Sequence, residues 1–257
     1  MTNDREQPAY RLARVLLRPT LPLVTRRDWR GQEHLPAHGG CLVVANHVSH
    51  FDPLTLAHFI NDAGRAPRFL GKAELFRLPL IGRLIRGAGQ IPVYRETVDA
   101  AKALRAAIAA VESGECVVVY PEATLTRDPM LWPMVGKTGA ARIAMSTGCP
   151  VIPMAQWGPQ EILGPYRRLP RLVPRHLIHV WAGPAVDLPQ PGHDAVTVDG
   201  LRASTAKIMA AIVGLLEQIR GEQAPTERFD PRTSPGSRIG KPHEPGPNPG
   251  KPDREDR

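Results

Sequence analysis

The middle of the chain alternates two patterns of apolar residues. Apolar, β-branched runs of strand length occur at four places, 41–45, 116–120, 150–156 and 176–183. Between and after them, apolar residues recur at helical spacing over 53–61, 100–112, 137–147 and 199–220. Because strands and helices alternate, the pattern predicts an α/β fold with a mixed, largely parallel sheet flanked by helices.

The two ends of the chain differ from this middle part. Residues 1–30 form a basic amphipathic segment in which arginines recur at near-helical spacing, at Arg11, Arg14 and Arg18. Two interpretations of this segment remain open: an interfacial helix on an anionic membrane, or a surface helix packed on the core. Residues 31–220 are predicted to form the main domain. In residues 221–257, eight of 37 residues are proline and Phe229 is the single aromatic, so a disordered tail is predicted.

The positive charge is concentrated in the first 220 residues. The formal net charge is +8, and residues 221–257 carry seven basic and seven acidic side chains, so the excess lies before them. A clustered positive surface favours an anionic partner, which can be nucleic acid, an acidic membrane or a phosphorylated substrate. Aromatic residues make up 5% and no nucleic-acid-binding motif is present, so nucleic acid is not expected as a partner.

Cysteine usage and hydropathy suggest where the protein works. The three cysteines are far apart, no CxxC pair occurs, and the N-terminus does not resemble a cleavable signal. The longest uncharged window, 143–160, is interrupted by glycine and proline, so no transmembrane span is expected. We expect a peripheral protein on the cytoplasmic face of the plasma membrane.

The stretch "NHVSHFDP" at 46–53 carries the candidate chemistry. Its side chains His47, His50 and Asp52 can be read as three metal ligands, to which a second histidine pair at 176 and 179 could add more. That second pair is three residues apart in a predicted strand, which places its side chains on opposite faces and weakens the metal interpretation.

A second interpretation makes His47 a general base that Asp52 orients. Asp-Pro before an apolar run is typical of a helix start, with Asp52 as the N-cap and Pro53 in the first helical position. A turn between strand and helix can fold the carboxylate back onto one nitrogen of His47, which fixes the tautomer and leaves the other nitrogen for a proton. The alternative is a plain strand–loop–helix junction in which Asp52 only caps.

Three further segments follow in order: "GQIPVYR" at 89–95, "VVVYPEATLTRDP" at 117–129 and "CPVIPMA" at 149–155. Together with "NHVSHFDP", they resemble the four ordered blocks of the glycerolipid acyltransferase family, the lysophosphatidic acid acyltransferases and their relatives. The resemblance covers about residues 30–185. The family's His-x4-Asp motif falls on His47 and Asp52, whereas His50 has no aspartate five residues later.

The resemblance implies a glycerol-3-phosphate acyltransferase-like fold with an acyltransferase domain at 31–220. It implies transfer of a fatty acyl group from acyl-CoA or acyl-carrier protein to the free hydroxyl of a lysophospholipid, with 1-acyl-glycerol-3-phosphate as the leading acceptor and phosphatidic acid as the product. His47 and Asp52 would be catalytic. The residues expected to bind the acceptor and its phosphate are Arg95, Glu122, Thr124, Lys72 and Arg127. No metal and no cofactor are expected.

The third block departs from the family pattern. The family usually reads Pro-Glu-Gly-Thr-Arg-Ser, whereas residues 121–126 read Pro-Glu-Ala-Thr-Leu-Thr. The arginine credited with binding the acceptor phosphate is missing, and Arg127 lies two positions later. Another lysophospholipid or a glycolipid therefore remains open as the acceptor, as does a non-catalytic membrane-associated protein. Ala123 in place of glycine restricts the backbone of this loop.

Overall fold

A seven-stranded sheet lies at the centre of the protein, as shown by a computed structural model that describes residues 8–93, 97–165, 167, 169–189 and 197–233. The strands are β1 (Thr25–Arg30), β2 (Cys41–Ala45), β3 (Pro67–Lys72), β4 (Ile91–Val93), β5 (Cys116–Val119), β6 (Val151–Trp157) and β7 (His176–Ala182). Their order in the sheet is β1-β7-β6-β2-β5-β3-β4. Neighbours are parallel except β6 and β7. The predicted mixed, largely parallel α/β sheet is thus confirmed.

Helices cover both faces of this sheet. They are α1 (Pro8–Val24), α2 (Asp52–Asp62), α3 (Ala73–Arg77), α4 (Pro79–Gly87), α5 (Thr97–Glu112), α6 (Gly139–Thr147), α7 (Pro159–Ile162) and α8 (Val198–Arg220). Helices α5, α6 and α8 pack on one face, and α2 and α7 on the other. All residues of β2 and β5 are buried, because a central strand covered on both faces has no solvent side.

The predicted elements match the structure best at the centre of the sheet. Strands β2, β5, β6 and β7 and helices α2, α5, α6 and α8 lie where the pattern placed them. Strands β1, β3 and β4 were not predicted. Strand β1 pairs with β7, so residues 25–30, assigned to the N-terminal segment, are part of the sheet.

The segment after α8 also differs from its prediction. The described residues 221–233 pack on the loop that follows β5: the Val135 amide donates to the carbonyl of Phe229 at 3.0 Å. The Ala224 amide donates to the Glu217 carboxylate at 2.9 Å. Disorder was predicted from Gly221 onward; residues 234–257 lie outside the described part.

Helix α1 is anchored to the fold. The buried Tyr10 donates its hydroxyl to the side-chain oxygen of Asn61 at 2.6 Å, and Leu21 is also buried. Val15 and Leu23 on the same helix are exposed. The packing interpretation therefore holds for part of the helix, and its membrane contact stays a prediction. Among the described helices, none combines the length and apolarity that crossing a bilayer requires.

Candidate active site

The candidate site lies at the edge of the sheet that is formed by the carboxyl ends of its parallel central strands. Strands β2, β5 and β6 are parallel neighbours, so the loops that leave their carboxyl ends meet there. The first loop carries His47, the second carries Glu122, and β6 ends near Gln156. Three segments that are distant in sequence thus supply one site.

His47 and Asp52 are in direct contact. Nδ1 of His47 lies 2.8 Å from Oδ2 of Asp52. The same carboxylate oxygen accepts the backbone N–H groups of Val48 at 2.7 Å and Ser49 at 2.8 Å. Asp52 is fully buried, whereas 17% of the His47 side chain is exposed. The carboxylate therefore holds one ring nitrogen and leaves Nε2 for proton transfer.

The structure corrects the expected capping role of Asp52. Helix α2 begins at Asp52 itself, Phe51 occupies the N-cap position, and no side chain caps the helix there. The Asp52 carboxylate instead organises the loop before the helix. Burial raises the pKa of Asp52, while the hydrogen bonds from His47 and the loop amides act in the opposite direction.

The backbone of His47 is held from both sides by the third block. The His47 amide donates to Oε1 of Glu122 at 3.1 Å, and its carbonyl accepts the Thr126 amide at 2.7 Å. The second oxygen of Glu122 accepts the Met134 amide at 3.0 Å. Burial raises the pKa of Glu122 to about 8, although both amide donors lower it. In the structure Glu122 braces two loops, and its predicted contact with the acceptor stays a prediction.

Tyr120 is a site residue that the sequence analysis missed. Its ring stacks on the His47 imidazole with centroids 4.1 Å apart and planes 14° apart. Phe69 lies behind it, 6.4 Å from the Tyr120 ring. The sequence feature that could have indicated Tyr120 is its position, since it directly precedes Pro121 and Glu122 at the end of a predicted strand. The imidazole is thus fixed by a carboxylate in its plane and a ring against its face.

Asn46, the buried residue before His47, is hydrogen-bonded to the buried Gln156 and so ties the end of β2 to β6. The Gln156 amide donates to the side-chain oxygen of Asn46 at 2.8 Å, and the Asn46 side chain donates to the Gln156 carbonyl at 3.0 Å. Thr55 of α2 donates its hydroxyl to the Gln156 side-chain oxygen at 2.9 Å. Ser49 donates to the carbonyl of Leu163 at 2.6 Å. These satisfied buried groups make the loop between β2 and α2 rigid.

The predicted phosphate-binding residues are less closely assembled. Arg95 lies outside the described residues. Lys72 is exposed at the end of β3. The pKa of His50 is lowered mainly by burial, and the nearby charges of His47 and Lys72 lower it further. Arg127 and Thr124 are partly exposed on the loop that braces His47. His50 is exposed, and Asp52 contacts His47 instead.

Ala123 adopts a strained backbone conformation. Its φ of 58° lies in the left-handed region, where a Cβ costs about 1–2 kcal/mol. The loop therefore keeps the shape that glycine normally permits, with an alanine in place.

No metal cluster is formed by the residues that the structure describes: three or more His, Cys, Asp or Glu side chains do not converge anywhere among them. Of the second histidine pair, His179 is used elsewhere. His179 lies with Nδ1 2.7 Å from Oδ2 of Asp28 on β1.

Comparison with known proteins identifies relatives of this chain. It is 32% identical over 140 residues to the chloroplastic 1-acyl-sn-glycerol-3-phosphate acyltransferase BAT2 of Brassica napus, covering 54% of this chain and 39% of that protein. It is 33% identical over 162 residues to an uncharacterized protein of Mycobacterium leprae, covering 58% and 42%. The chain thus spans about two fifths of the length of these curated relatives.

A solved structure shares the fold. The crystal structure of the 1-acyl-sn-glycerophosphate acyltransferase PlsC from Thermotoga maritima matches with a TM-score of 0.64 and 22% identity, covering 88% of this chain and 86% of that one. The family model "Acyltransferase" matches residues 26–157, just over half of the chain. That match includes the His47–Asp52 pair and the loop that braces it, and it shows that this protein belongs to the acyltransferase family.

Proposed function

We propose that this protein is a 1-acylglycerol-3-phosphate O-acyltransferase. It transfers a fatty acyl group from acyl-CoA or acyl-carrier protein to the free hydroxyl of 1-acyl-glycerol-3-phosphate, giving phosphatidic acid. The observation that carries the proposal is the 2.8 Å contact between His47 and the buried Asp52 at the carboxyl edge of the sheet. The names of several relatives point to the same reaction.

The reaction follows from the geometry of this pair. Nε2 of His47 removes the proton of the acceptor hydroxyl as its oxygen attacks the thioester carbonyl. Asp52 stabilises the imidazolium that results. The tetrahedral intermediate then expels the thiolate of the donor, which takes the proton back from His47, so the products are an ester and a free thiol. General-base help of this kind contributes about 10²–10⁴ in rate.

Direct transfer is favoured over an acyl-enzyme. The hydroxyl of Ser49, adjacent to Asp52 in space, is bonded to the backbone carbonyl of Leu163. Cys41 and Cys116 are fully buried inside the sheet. These nucleophiles are not presented to a substrate, whereas the imidazole is partly exposed.

The acceptor phosphate would be bound by Arg95, with Lys72 and Arg127 assisting. A guanidinium offers two parallel N–H groups to a phosphate, which suits this task. A lysophospholipid with a larger headgroup or a glycolipid is the alternative acceptor, since the third block lacks its usual arginine. The protein would work peripherally on an anionic membrane, at the cytoplasmic face.

The experiment compares His47→Ala with the matched variant His50→Ala. Release of free thiol from acyl-CoA, and separately from acyl-carrier protein, is measured with 1-acyl-glycerol-3-phosphate and with monoacylglycerol. We expect the rate to fall about 10²–10⁴-fold in His47→Ala and to persist in His50→Ala. Equal activity of His47→Ala and wild type would refute the base assignment. Equal rates with both acceptors would refute the phosphate requirement.

A further inference from the structure

The loop that joins α7 to β7, residues 164–175, exposes an apolar tip. Leu169 and Val173 are each 81% exposed, and Leu172 is 43% exposed. Every residue from 169 to 175 is exposed, and two of them, Pro170 and Pro174, have no backbone N–H. Large apolar side chains grouped at a loop tip mark an interaction surface.

The loop is also strongly basic. Four arginines lie within it, at Arg167, Arg168, Arg171 and Arg175, and no acidic residue occurs between residues 162 and 186. The exposed apolar side chains are therefore interleaved with positive charge. This composition complements a surface that is apolar below an anionic layer.

The base of the loop is tied to the candidate active site. Ser49 donates its hydroxyl to the carbonyl of Leu163, and the Arg171 amide donates to the carbonyl of Ile162 at 2.7 Å. Arg175 donates to the carbonyl of Thr25 at 3.0 Å, at the start of β1. Because β7 runs antiparallel to β6, the loop leaves the same edge of the sheet as His47.

We propose that the 164–175 loop is a membrane-docking element that sets its apolar tip into the boundary between headgroups and acyl chains of an anionic bilayer. The exposed Arg167 and Arg171 bind lipid phosphates around the tip. This inference rests on the proposed function, because docking here would present the candidate active site to a lipid acceptor. It adds a contact distinct from the N-terminal helix.

A bilayer fits the tip better than an acidic carrier protein does. Leu169 and Val173 are each 81% exposed, which suits insertion into the boundary between headgroups and acyl chains. A helical protein partner is instead bound through a recessed apolar groove. The two prolines reduce the number of backbone N–H groups that insertion would strip of water.

The test is flotation of the full chain with phosphatidylcholine vesicles, with and without phosphatidylglycerol, in the absence of acyl donor. The double variant Leu169→Ser/Val173→Ser is compared with Val198→Ser, a matched control that is 62% exposed at the start of α8. Val198 lies at the opposite edge of the sheet, since the other end of α8 packs on Trp157 through Arg220. Thermal melts check that all variants are folded.

We expect the double variant to bind anionic vesicles at least about tenfold more weakly, and Val198→Ser to bind like wild type. Arg171→Gln should weaken binding to vesicles that contain phosphatidylglycerol and leave the weak binding to phosphatidylcholine unchanged. Unchanged flotation of the double variant overturns the proposal. A double variant that floats like wild type but loses binding to acyl-carrier protein in a separate pull-down assay would show that the loop docks the carrier protein, and it overturns the proposal too.

Failure of the proposed function is scored separately. His47→Ala retains the loop and should float like wild type. Vesicle binding without any acyl transfer in wild type would leave the docking loop standing and refute the enzyme activity. If wild type transfers the acyl group but the double variant floats as well as wild type, the enzyme activity stands and the docking loop is refuted.

Discussion

Replacing Asp52 with asparagine separates catalysis from folding. Asparagine has nearly the same size, and its amide oxygen can accept the three donors that now point at Oδ2, from His47, Val48 and Ser49. The negative charge beside the imidazole is lost. The perturbation is therefore electrostatic and leaves the loop geometry in place.

The magnitude follows from the bond that changes. A hydrogen bond to a charged group contributes about 1.5–3 kcal/mol, so losing its stabilisation of the imidazolium lowers kcat about 10- to 150-fold. KM should change little, because Asp52 is fully buried and does not meet the acceptor.

Stability should respond differently from activity. Burial raises the pKa of Asp52, which means that the fold opposes its ionised form, and asparagine removes that cost. The substitution also places an amide N–H₂ at the position of Oδ1, which has no partner among the described residues. The two effects oppose each other, and we expect the free energy of unfolding to change by no more than about 2 kcal/mol.

The assay pairs steady-state thiol release with urea denaturation of the same Asp52→Asn preparation. Asp52→Ala serves as the contrast, since it removes the acceptor of all three hydrogen bonds and should lose both activity and stability. A wild-type kcat in Asp52→Asn would show that the carboxylate only shapes the loop. A loss of folded protein large enough to explain the lost activity of Asp52→Asn would also refute the claim that the substitution affects catalysis and not folding.

Three other predictions follow from the loop after β5 and the C-terminal segment. Ala123→Gly should raise the free energy of unfolding by up to about 1 kcal/mol by relieving a φ of 58°, whereas Ala109→Gly on the exposed face of α5 should lower it by about the same amount, both in urea titrations. Burial raises the pKa of Glu122 from an ordinary value of 4.5 to about 8, so its protonated form is favoured in the folded state. Its contribution to the free energy of unfolding is therefore fully present below pH 4.5 and is lost as pH rises toward 8, by at most about 5 kcal/mol. Glu122→Gln should abolish this pH dependence of the free energy of unfolding, measured by urea titrations between pH 4.5 and 8. Deleting residues 234–257 should leave Tm unchanged, whereas deleting 224–257 should lower both Tm and the rate of thiol release. The longer deletion removes Phe229, whose carbonyl accepts the Val135 amide of the loop that follows β5. Equal Tm values for the two truncations would contradict this prediction.

The central strands could be predicted because burial on both faces demands continuous apolar runs, as in β2 and β5. The edge strands gave no such signal. Strand β1 reads "TRRDWR", and its charges are tolerated because one side of the strand faces solvent. Strand β4 has three residues, one of them proline, too few for an alternating pattern.

The candidate site was predicted in part for a similar reason. The pairing of His47 with Asp52 is local in the chain and is marked by the His-x4-Asp spacing. The stacking of Tyr120 on His47 and the bracing by Glu122 depend on which strands are neighbours, which spacing along the chain does not encode. The predicted helix cap at Asp52 was wrong because its carboxylate oxygen Oδ2 instead accepts hydrogen bonds from His47, Val48 and Ser49, which precede the helix.

The hydrogen bonds between Asn46 and Gln156 join residues 110 positions apart, and the Ser49–Leu163 bond closes a segment of 114. A nascent chain that has left the ribosome as far as residue 128 therefore contains His47 and Asp52 but lacks Gln156 and Leu163, whose hydrogen bonds hold the ends of the loop between β2 and α2. Bringing residues so distant in sequence together costs chain entropy before their hydrogen bonds stabilise the fold. The candidate site should therefore form after most of the helices have formed. If the proposed function is right, recovery of thiol release after dilution from denaturant would then lag behind recovery of the far-ultraviolet circular dichroism signal.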